Sequence, residues 1–263
     1  MSVPVLASVR LDRRGGVGIL ELCRPEAGNA LDNLMLGELL TAVRWLQQQD
    51  WLRALVLSGA GRAFCVGGDL HEYAGVFDDV AAAQSLATSS TSTLNEVILG
   101  LHEVNIPVLA ALTGQVSGAG FSLALLCDVR ICSRRAVLDF AYARIGTATD
   151  GGMTFFLPHV VGRAAARRLL LFQPLIRGPE ALALGLVDEL TEPAETIAVA
   201  IEHAQQLSRR ATTGVAAAKR LLRPPGLAEH LHAEAQLFIE GACSSEMRDG
   251  VTALLHGEAS PFC

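Results

Sequence analysis

Short, continuous apolar runs alternate with stretches of helical periodicity through the first two thirds of the chain. The apolar runs at residues 54–58, 107–111 and 129–132 predict buried strands. Between and after them, apolar residues recur every three or four positions, which predicts helices over residues 33–49, 85–103 and 118–126. Alternation of this kind is typical of an α/β protein built on a parallel sheet.

The two ends of the chain depart from this pattern. Residues 3–10 and 17–22 are rich in β-forming residues and flank Gly15 and Gly16, which predicts an N-terminal hairpin. After Asp150 the pattern becomes mainly helical. The predicted helices there cover residues 154–160, 164–171, 179–184, 195–208, 215–222 and 228–241. No low-complexity linker divides the sequence, so one main domain is expected.

Composition narrows the classes of function. Of the 263 residues, 51% are hydrophobic and only 18% are charged, which suggests apolar surface hidden between subunits. A net charge of -6 offers no basic field for a nucleic acid. The sequence has no apolar run long enough to cross a bilayer and no signal-peptide pattern, so we expect a cytoplasmic protein without a membrane partner. Its scattered cysteines predict reduced thiols, and no metal site is expected.

Two segments of small residues carry the strongest functional signal. Residues 61–70 follow the predicted strand at 54–58, and residues 113–120 run into an apolar helix. Small residues at the start of a helix leave its first amides unobstructed, and those amides have no partner within the helix. Each segment alone could be an ordinary strand-to-helix loop. Together they can supply the two separate donors that an oxyanion hole requires.

An ordered set of motifs runs along the whole chain. The motifs are Arg24-Pro25-Glu26 with Asn29-Ala30-Leu31, Ala63-Phe64-Cys65 with Gly68-Asp69, residues 107–120, Cys127-Asp128, Arg144-Ile145-Gly146, Asp150-Gly151-Gly152, Leu157-Pro158 and Val161-Gly162-Arg163. This set resembles the enoyl-CoA hydratase/isomerase, or crotonase, family. The motifs are most similar to those of its ring-1,2-epoxyphenylacetyl-CoA isomerase and enoyl-CoA isomerase branch.

The resemblance implies an architecture and an assembly. It implies an α/β crotonase (ClpP-like) fold with a repeated ββα spiral core over residues 1–190, which binds acyl-CoA. Residues 191–263 are implied to form a helical C-terminal region of the same structural unit that serves oligomerisation. The expected assembly is a homotrimer or a dimer of trimers. A coenzyme A thioester is the implied substrate, with no further cofactor.

The resemblance also assigns roles to single residues. The amides of Cys65 and Ala119 are implied to point at the thioester carbonyl. Ala119 replaces the usual glycine. This change keeps the N–H and adds one methyl group, so the oxyanion hole should survive unless the backbone there requires a positive φ. The implied substrate-binding residues are Arg24, Ala27, Ala63, Gly67, Asp69 and Gly118. Arg24 could pair with a phosphate of coenzyme A.

The sequence departs from the family pattern at the positions of acid and base. Family hydratases carry two glutamates, and Ser122 and Tyr142 occupy those positions here. Ser122 and Tyr142 are candidate substrate contacts. Hydration needs a base to activate water and an acid to deliver a proton, so the loss of both groups disfavours it. Asp150 matches the catalytic aspartate of the isomerase branch, and one carboxylate suits a proton transfer within the substrate. Its alternative role is to cap the following helix.

The leading interpretation is an acyl-CoA isomerase that shifts a double bond or rearranges a ring through a thioester enolate. A hydratase-like reaction is one alternative. Asp150 could instead act as a nucleophile, as in aroyl-CoA dehalogenases or hydrolases, but Asn95 occupies the position of the dehalogenases' histidine base. A non-catalytic acyl-CoA-binding protein is the remaining alternative, since the two glutamates are missing.

Overall fold

The computed structural model describes residues 3–262. The strands are β1 (Val9–Arg14), β2 (Val17–Leu22), β3 (Ala54–Gly59), β4 (Val108–Leu112), β5 (Gln115–Ser117), β6 (Val129–Ser133), β7 (Val137–Asp139), β8 (Ile176–Arg177) and β9 (Glu189–Thr191). The helices are α1 (Asn33–Gln47), α2 (Leu70–Ala74), α3 (Val80–Glu103), α4 (Ala119–Leu126), α5 (Tyr142–Ile145), α6 (Met153–Val161), α7 (Arg163–Phe172), α8 (Gly178–Ala183), α9 (Thr196–Ser208), α10 (Thr212–Leu222), α11 (Leu227–Ala242) and α12 (Ser245–Leu255).

A six-stranded sheet in the order β1-β2-β3-β4-β6-β9 forms the centre of the fold, and only its β1–β2 pair is antiparallel. Alternate residues of β3 point to opposite faces. Ala54 and Val56 pack with α9, whereas Leu55 and Leu57 join the larger core that contains α1 and α3. Because both faces of the sheet are covered, the strand reads as one continuous apolar run. The predicted α/β class is confirmed.

A second sheet, in the order β5-β7-β8, stands beside the first. The chain passes from the main sheet to this sheet and then into a helix in the units β4-β5-α4 and β6-β7-α5. These units are the repeated ββα element that the resemblance implies. The arrangement places the start of α4 directly after β5, where the second small-residue segment lies.

The N-terminal hairpin is displaced from its predicted position. Its first strand is β1, which covers Val9–Arg14 instead of residues 3–10, while the turn at Gly15 (φ 64) agrees with the prediction. The outer strand is polar because it lies at the edge of the sheet, and Arg10 forms an ion pair there with Glu21 of β2. Polar edge strands lack the apolar pattern on which the prediction relied.

Several short elements and one long one were not predicted. The strands β5, β7, β8 and β9 and the helices α2 and α5 are too short to show a period. The helix α12 is longer, but glycine and alanine, at Gly250 and Ala253, occupy two positions of its buried face, so its apolar period is weak. The helix α3 begins at Val80, earlier than predicted, because the Asp79 carboxylate accepts from the amides of Ala81 and Ala82.

The C-terminal helices fold back onto the core of their own chain. The helix α11 packs along α3, and α12 packs against α2 and α5. This packing brings α11 and α12 to the edge of the cavity described below. Within residues 3–262 we find no helix with the length and hydrophobicity needed to cross a membrane.

Candidate active site

A cavity of about 500 Å³ lies where the two small-residue segments meet α2, α3 and the C-terminal helices. The backbones of Gly67, Gly68, Gly118 and Ala119 and the carboxylate-bearing Asp150 line it. Apolar side chains from different helices complete the wall, among them Leu36, Leu70, Leu94, Ile145, Phe238 and Met247. Free amides and the Asp150 carboxyl group therefore face a chamber of the size that small ligands occupy.

The two small-residue segments are in direct backbone contact. The Cys65 carbonyl accepts a hydrogen bond from the Ser117 amide at 2.9 Å, and Cys65 forms an isolated parallel β-bridge with Val116. A Cβ at Gly120 would lie 2.5 Å from the Cys65 oxygen, so that position admits only glycine. Gly67 has φ 98, and a Cβ there would lie 3.0 Å from the Ser117 oxygen. The glycines are therefore required for the close approach of the two segments.

Two backbone amides point to an oxyanion site. Within residues 3–262, the N–H groups of Gly68 and Ala119 have no hydrogen-bond acceptor, and both residues line the cavity. Ala119 is the first residue of α4, where the helix dipole is positive. The positive φ of this turn (50°) belongs to Gly118, so alanine at position 119 is unstrained. The replacement of glycine by Ala119 therefore leaves the donor intact.

The structure corrects the role predicted for Cys65. Its amide donates to the Gln115 carbonyl at 3.3 Å, so that N–H is already used inside the protein. Cys65 is fully buried and lies outside the cavity lining. Burial raises the pKa of its thiol to about 12, which leaves no thiolate for nucleophilic attack at neutral pH. Gly68, further along the same segment, presents the amide that was assigned to Cys65.

Asp150 is a buried carboxyl group with a strongly perturbed acidity. One of its oxygens accepts a hydrogen bond from the Tyr142 hydroxyl at 2.7 Å. Burial, with a smaller contribution from the negative charge of Glu234, raises the pKa of Asp150 to about 7, although the Tyr142 hydrogen bond lowers it. A carboxyl group that titrates near neutral pH can both take up and release a proton.

Asp150 does not cap the helix that follows it. The helix α6 begins at Met153, and the residue before it, Gly152, carries no side chain that could cap it. Glu234 of α11 takes that role, because its carboxylate accepts from the amides of Gly152 and Thr154 at 2.7 and 2.8 Å. The side chain of Asp150 is therefore left to face the cavity.

The residues at the two missing glutamate positions both support Asp150. The Ser122 hydroxyl donates to the Asp150 backbone carbonyl at 2.8 Å, and Ser122 lies outside the cavity lining. Its predicted role as a substrate contact is therefore corrected to a structural one. Tyr142 begins α5 and does line the cavity, but its hydroxyl is directed at the Asp150 carboxylate. Burial raises the pKa of Tyr142 well above its ordinary value, so its hydroxyl remains a donor at neutral pH.

Removing the Tyr142 hydroxyl should leave less of the Asp150 base ionised at neutral pH. Tyr142→Phe keeps the ring but removes the hydrogen bond that lowers the pKa of Asp150. The acidic limb of the kcat/KM profile should therefore move to higher pH, with roughly a tenfold loss of turnover at pH 7. A pH series on the thioester substrate measures this, and an acidic limb at the wild-type position would contradict the role of Tyr142.

The predicted coenzyme A contacts divide into cavity residues and buried residues. Ala27, Gly67, Asp69 and Gly118 line the cavity, as does Arg24, whereas Ala63 does not. The buried Ala63 offers its carbonyl to the Asn29 side chain at 2.8 Å. Its predicted substrate contact is therefore not supported by the structure.

Arg24 is held by the protein itself. Its guanidinium contacts Asp32 at 2.9 Å and Asp69 at 3.0 Å, and it donates to the Ala30 carbonyl at 2.7 Å. Asp69 also accepts from the His71 amide and so caps α2. Two carboxylates balance the charge of Arg24, so its predicted pairing with a phosphate would compete with these contacts.

Glu234 is the functional candidate that our sequence analysis missed. It lies on α11 among Leu227, Leu231 and Phe238, which form the buried face of that helix. Its side chain is 5% exposed. A carboxylate at a core position of an amphipathic helix is unusual unless it is paired or hydrogen-bonded, and that pattern was visible in the sequence.

Comparisons with known proteins agree with the architecture. The family model for enoyl-CoA hydratase/isomerase matches residues 12–262. A Rhodobacter capsulatus protein named "Probable enoyl-CoA hydratase" is 34% identical, with 97% of each chain covered. The 1,2-epoxyphenylacetyl-CoA isomerase of Escherichia coli is 30% identical over 94% of this chain and 95% of its own.

Solved structures give the same result for the fold. An enoyl-CoA hydratase from Bacillus halodurans superposes with a TM-score of 0.86 at 25% identity, covering 94% of this chain and 100% of its own. The predicted crotonase fold is thereby confirmed. From the family match over nearly its whole length and from these relatives, the chain belongs to the enoyl-CoA hydratase/isomerase family.

Proposed function

We propose that this protein isomerises an acyl-CoA thioester through an enolate. The ionised Asp150 takes a proton from the carbon beside the thioester or from the γ carbon. The electrons of that C–H bond move into the thioester, and its oxygen becomes an oxyanion that accepts from the amides of Gly68 and Ala119. The protonated Asp150 then delivers the proton to a different carbon. The double bond moves, no water is consumed, and the coenzyme A thioester enters as the substrate.

The state of the cavity carboxylates is the observation that carries this proposal. Four other carboxyl groups also line the cavity. The guanidinium groups of Arg24 and Arg144 pair with Asp69 and Asp139, Glu26 is exposed, and the partly buried Glu72 accepts from the Asn33 amide. Asp150 has no cationic partner in the part of the chain that the structure describes, and its pKa is raised to about 7. Of these five carboxyl groups, Asp150 is the buried one without a cationic partner, and it is therefore the one suited to exchange a proton with a substrate.

The geometry disfavours the rival reactions. Hydration would need a second acid or base, and Ser122 and Tyr142 occupy those positions with hydroxyl groups bonded to Asp150. A dehalogenase mechanism would need a base in α3, where the side chain of Asn95 donates to the Leu231 carbonyl at 3.2 Å. Ring rearrangement is compatible with the same site, and the relative from Escherichia coli is named for such a substrate.

A thioester screen tests the proposal. The purified protein would be incubated with 3-enoyl-, 2-enoyl- and aryl-CoA thioesters, and the products followed by mass and ultraviolet absorbance. Isomerisation leaves the mass unchanged while the absorbance changes. A gain of one water in mass would identify a hydratase instead. Thermal stabilisation by thioesters without any turnover would favour the binding-protein alternative.

We further propose that the chain assembles as a homotrimer or a dimer of trimers. Large apolar side chains are exposed at and just beyond the end of α7, where Leu171 is 74%, Phe172 80% and Leu175 57% exposed. Large exposed apolar side chains of this kind are typical of subunit interfaces. Light scattering at micromolar concentration should give a trimer or hexamer mass, and Phe172→Asp should reduce it. A monomeric mass for the wild type would refute this assembly.

A further inference from the structure

Glu234 fastens the segment that carries the proposed base. Its carboxylate accepts from the amides of Gly152 and Thr154, and also from the hydroxyls of Thr149 and Thr154. These acceptor contacts lie on both sides of Asp150 in the chain. A helix from the far end of the sequence thus fixes the backbone immediately before and after the base.

We propose that Glu234 is a positioning residue for Asp150, which fixes the backbone of residues 149–154 and places a second carboxylate behind the base. The catalytic consequence rests on the proposed function. The geometric part does not, because it follows from the hydrogen bonds of a buried carboxylate. Anchoring matters because a catalytic group must be held in a precise position. Displacing it by about 1 Å can lower the rate roughly 100-fold, even when the residue that held it is far from the reacting atoms.

Glu234 is the charged group that affects the pKa of Asp150. The titratable groups that face Asp150 are Tyr142 of α5, Tyr73 of α2, Cys65 of the first small-residue segment and Glu234 of α11. Among the described residues, none of the groups that influence Asp150 is a cation. Beside Glu234, His230 lies at 3.9 Å and its ring shares a 2.8 Å hydrogen bond with the Thr154 hydroxyl. Removing the charge of Glu234 should therefore lower the pKa of Asp150.

Two substitutions separate the tether from the charge. Glu234→Gln keeps the length but removes the charge and places an N–H where an acceptor is needed. It should shift the acidic limb of the pH–rate profile to lower pH and reduce plateau turnover by roughly 10- to 100-fold. Glu234→Asp keeps the charge but is too short to reach both amides. It should reduce turnover similarly and leave the acidic limb in place.

Matched controls distinguish this role from general stabilisation of α11. Glu240→Gln removes a carboxylate from an exposed position of the same helix and should change neither turnover nor the profile. Acyl-CoA affinity should stay close to the wild-type value in all three variants, because none of the changed side chains lines the cavity. If Glu234→Gln fails to fold, the loss of turnover in Glu234→Asp carries the test.

A direct titration of Asp150 makes the test independent of turnover. The infrared band of the protonated Asp150 carboxyl group, assigned by its loss in Asp150→Asn, would be followed against pH. The midpoint should fall in Glu234→Gln and stay in place in Glu234→Asp. Wild-type midpoints together with wild-type turnover in both variants would overturn the inference. A shifted midpoint in a protein that converts no thioester would support the positioning role and refute the proposed function.

Discussion

Asp150→Asn should reduce isomerase turnover by at least ~10³-fold, while acyl-CoA binding persists. Asparagine has the size of aspartate and can still accept the hydrogen bond from the Tyr142 hydroxyl, but it cannot take up a proton from carbon at neutral pH. Steady-state kinetics on the thioester found in the screen, together with a binding titration, measure both quantities. Turnover at the wild-type rate in the folded variant would remove Asp150 from the mechanism.

The same substitution should stabilise the fold at high pH. Measuring this stability is the control that shows the variant to be folded. The folded protein retains the Asp150 proton between pH 3.8 and about 7, where the unfolded chain has lost it. The free energy of unfolding of the wild type therefore falls by up to about 4 kcal/mol across that window and remains at the lower value at higher pH. Asp150→Asn has no carboxyl group to titrate at this position, so its free energy of unfolding does not fall in this way. Its unfolding midpoint in denaturant should exceed that of the wild type at pH 8, and the advantage should disappear near pH 4.

Ala119→Pro should lower turnover by roughly 100-fold or more, because it deletes one of the two proposed oxyanion donors. Proline is tolerated at the first position of a helix, and Ala119 occupies that position in α4, so the fold should persist. Ala119→Gly is the matched control, since it changes the side chain and retains the N–H. Near-normal turnover in Ala119→Gly with a large loss in Ala119→Pro would support the donor role. Equal turnover in both would exclude it.

The fold could be predicted from the sequence where burial creates a strong pattern. The apolar strands β3 and β4 are covered on both faces, and the long helix α3 is periodic, so their types were predicted correctly. The edge strand β1 has no such pattern because it is exposed to solvent. The strands of the second sheet have none because each is only two or three residues long.

The site could be predicted only in part, for a related reason. The two small-residue segments were identified, but which amide in the first is free depends on a backbone hydrogen bond from Cys65 to Gln115 that no motif encodes. Asp150 was found by its position. Its burial, its hydrogen bond from Tyr142 and the nearby charge of Glu234 arise only when distant residues are brought together by folding, and burial is the main cause of the raised pKa.

Proton exchange in deuterated water tests the central claim most directly. If Asp150 removes a proton to form an enolate held by Gly68 and Ala119, the wild-type protein should incorporate deuterium from solvent beside the thioester carbonyl or at the γ carbon of its acyl-CoA substrate. Mass spectrometry of recovered substrate measures this without requiring net conversion. We expect incorporation with the wild type and none with Asp150→Asn. Undiminished incorporation with Asp150→Asn would contradict proton transfer through Asp150.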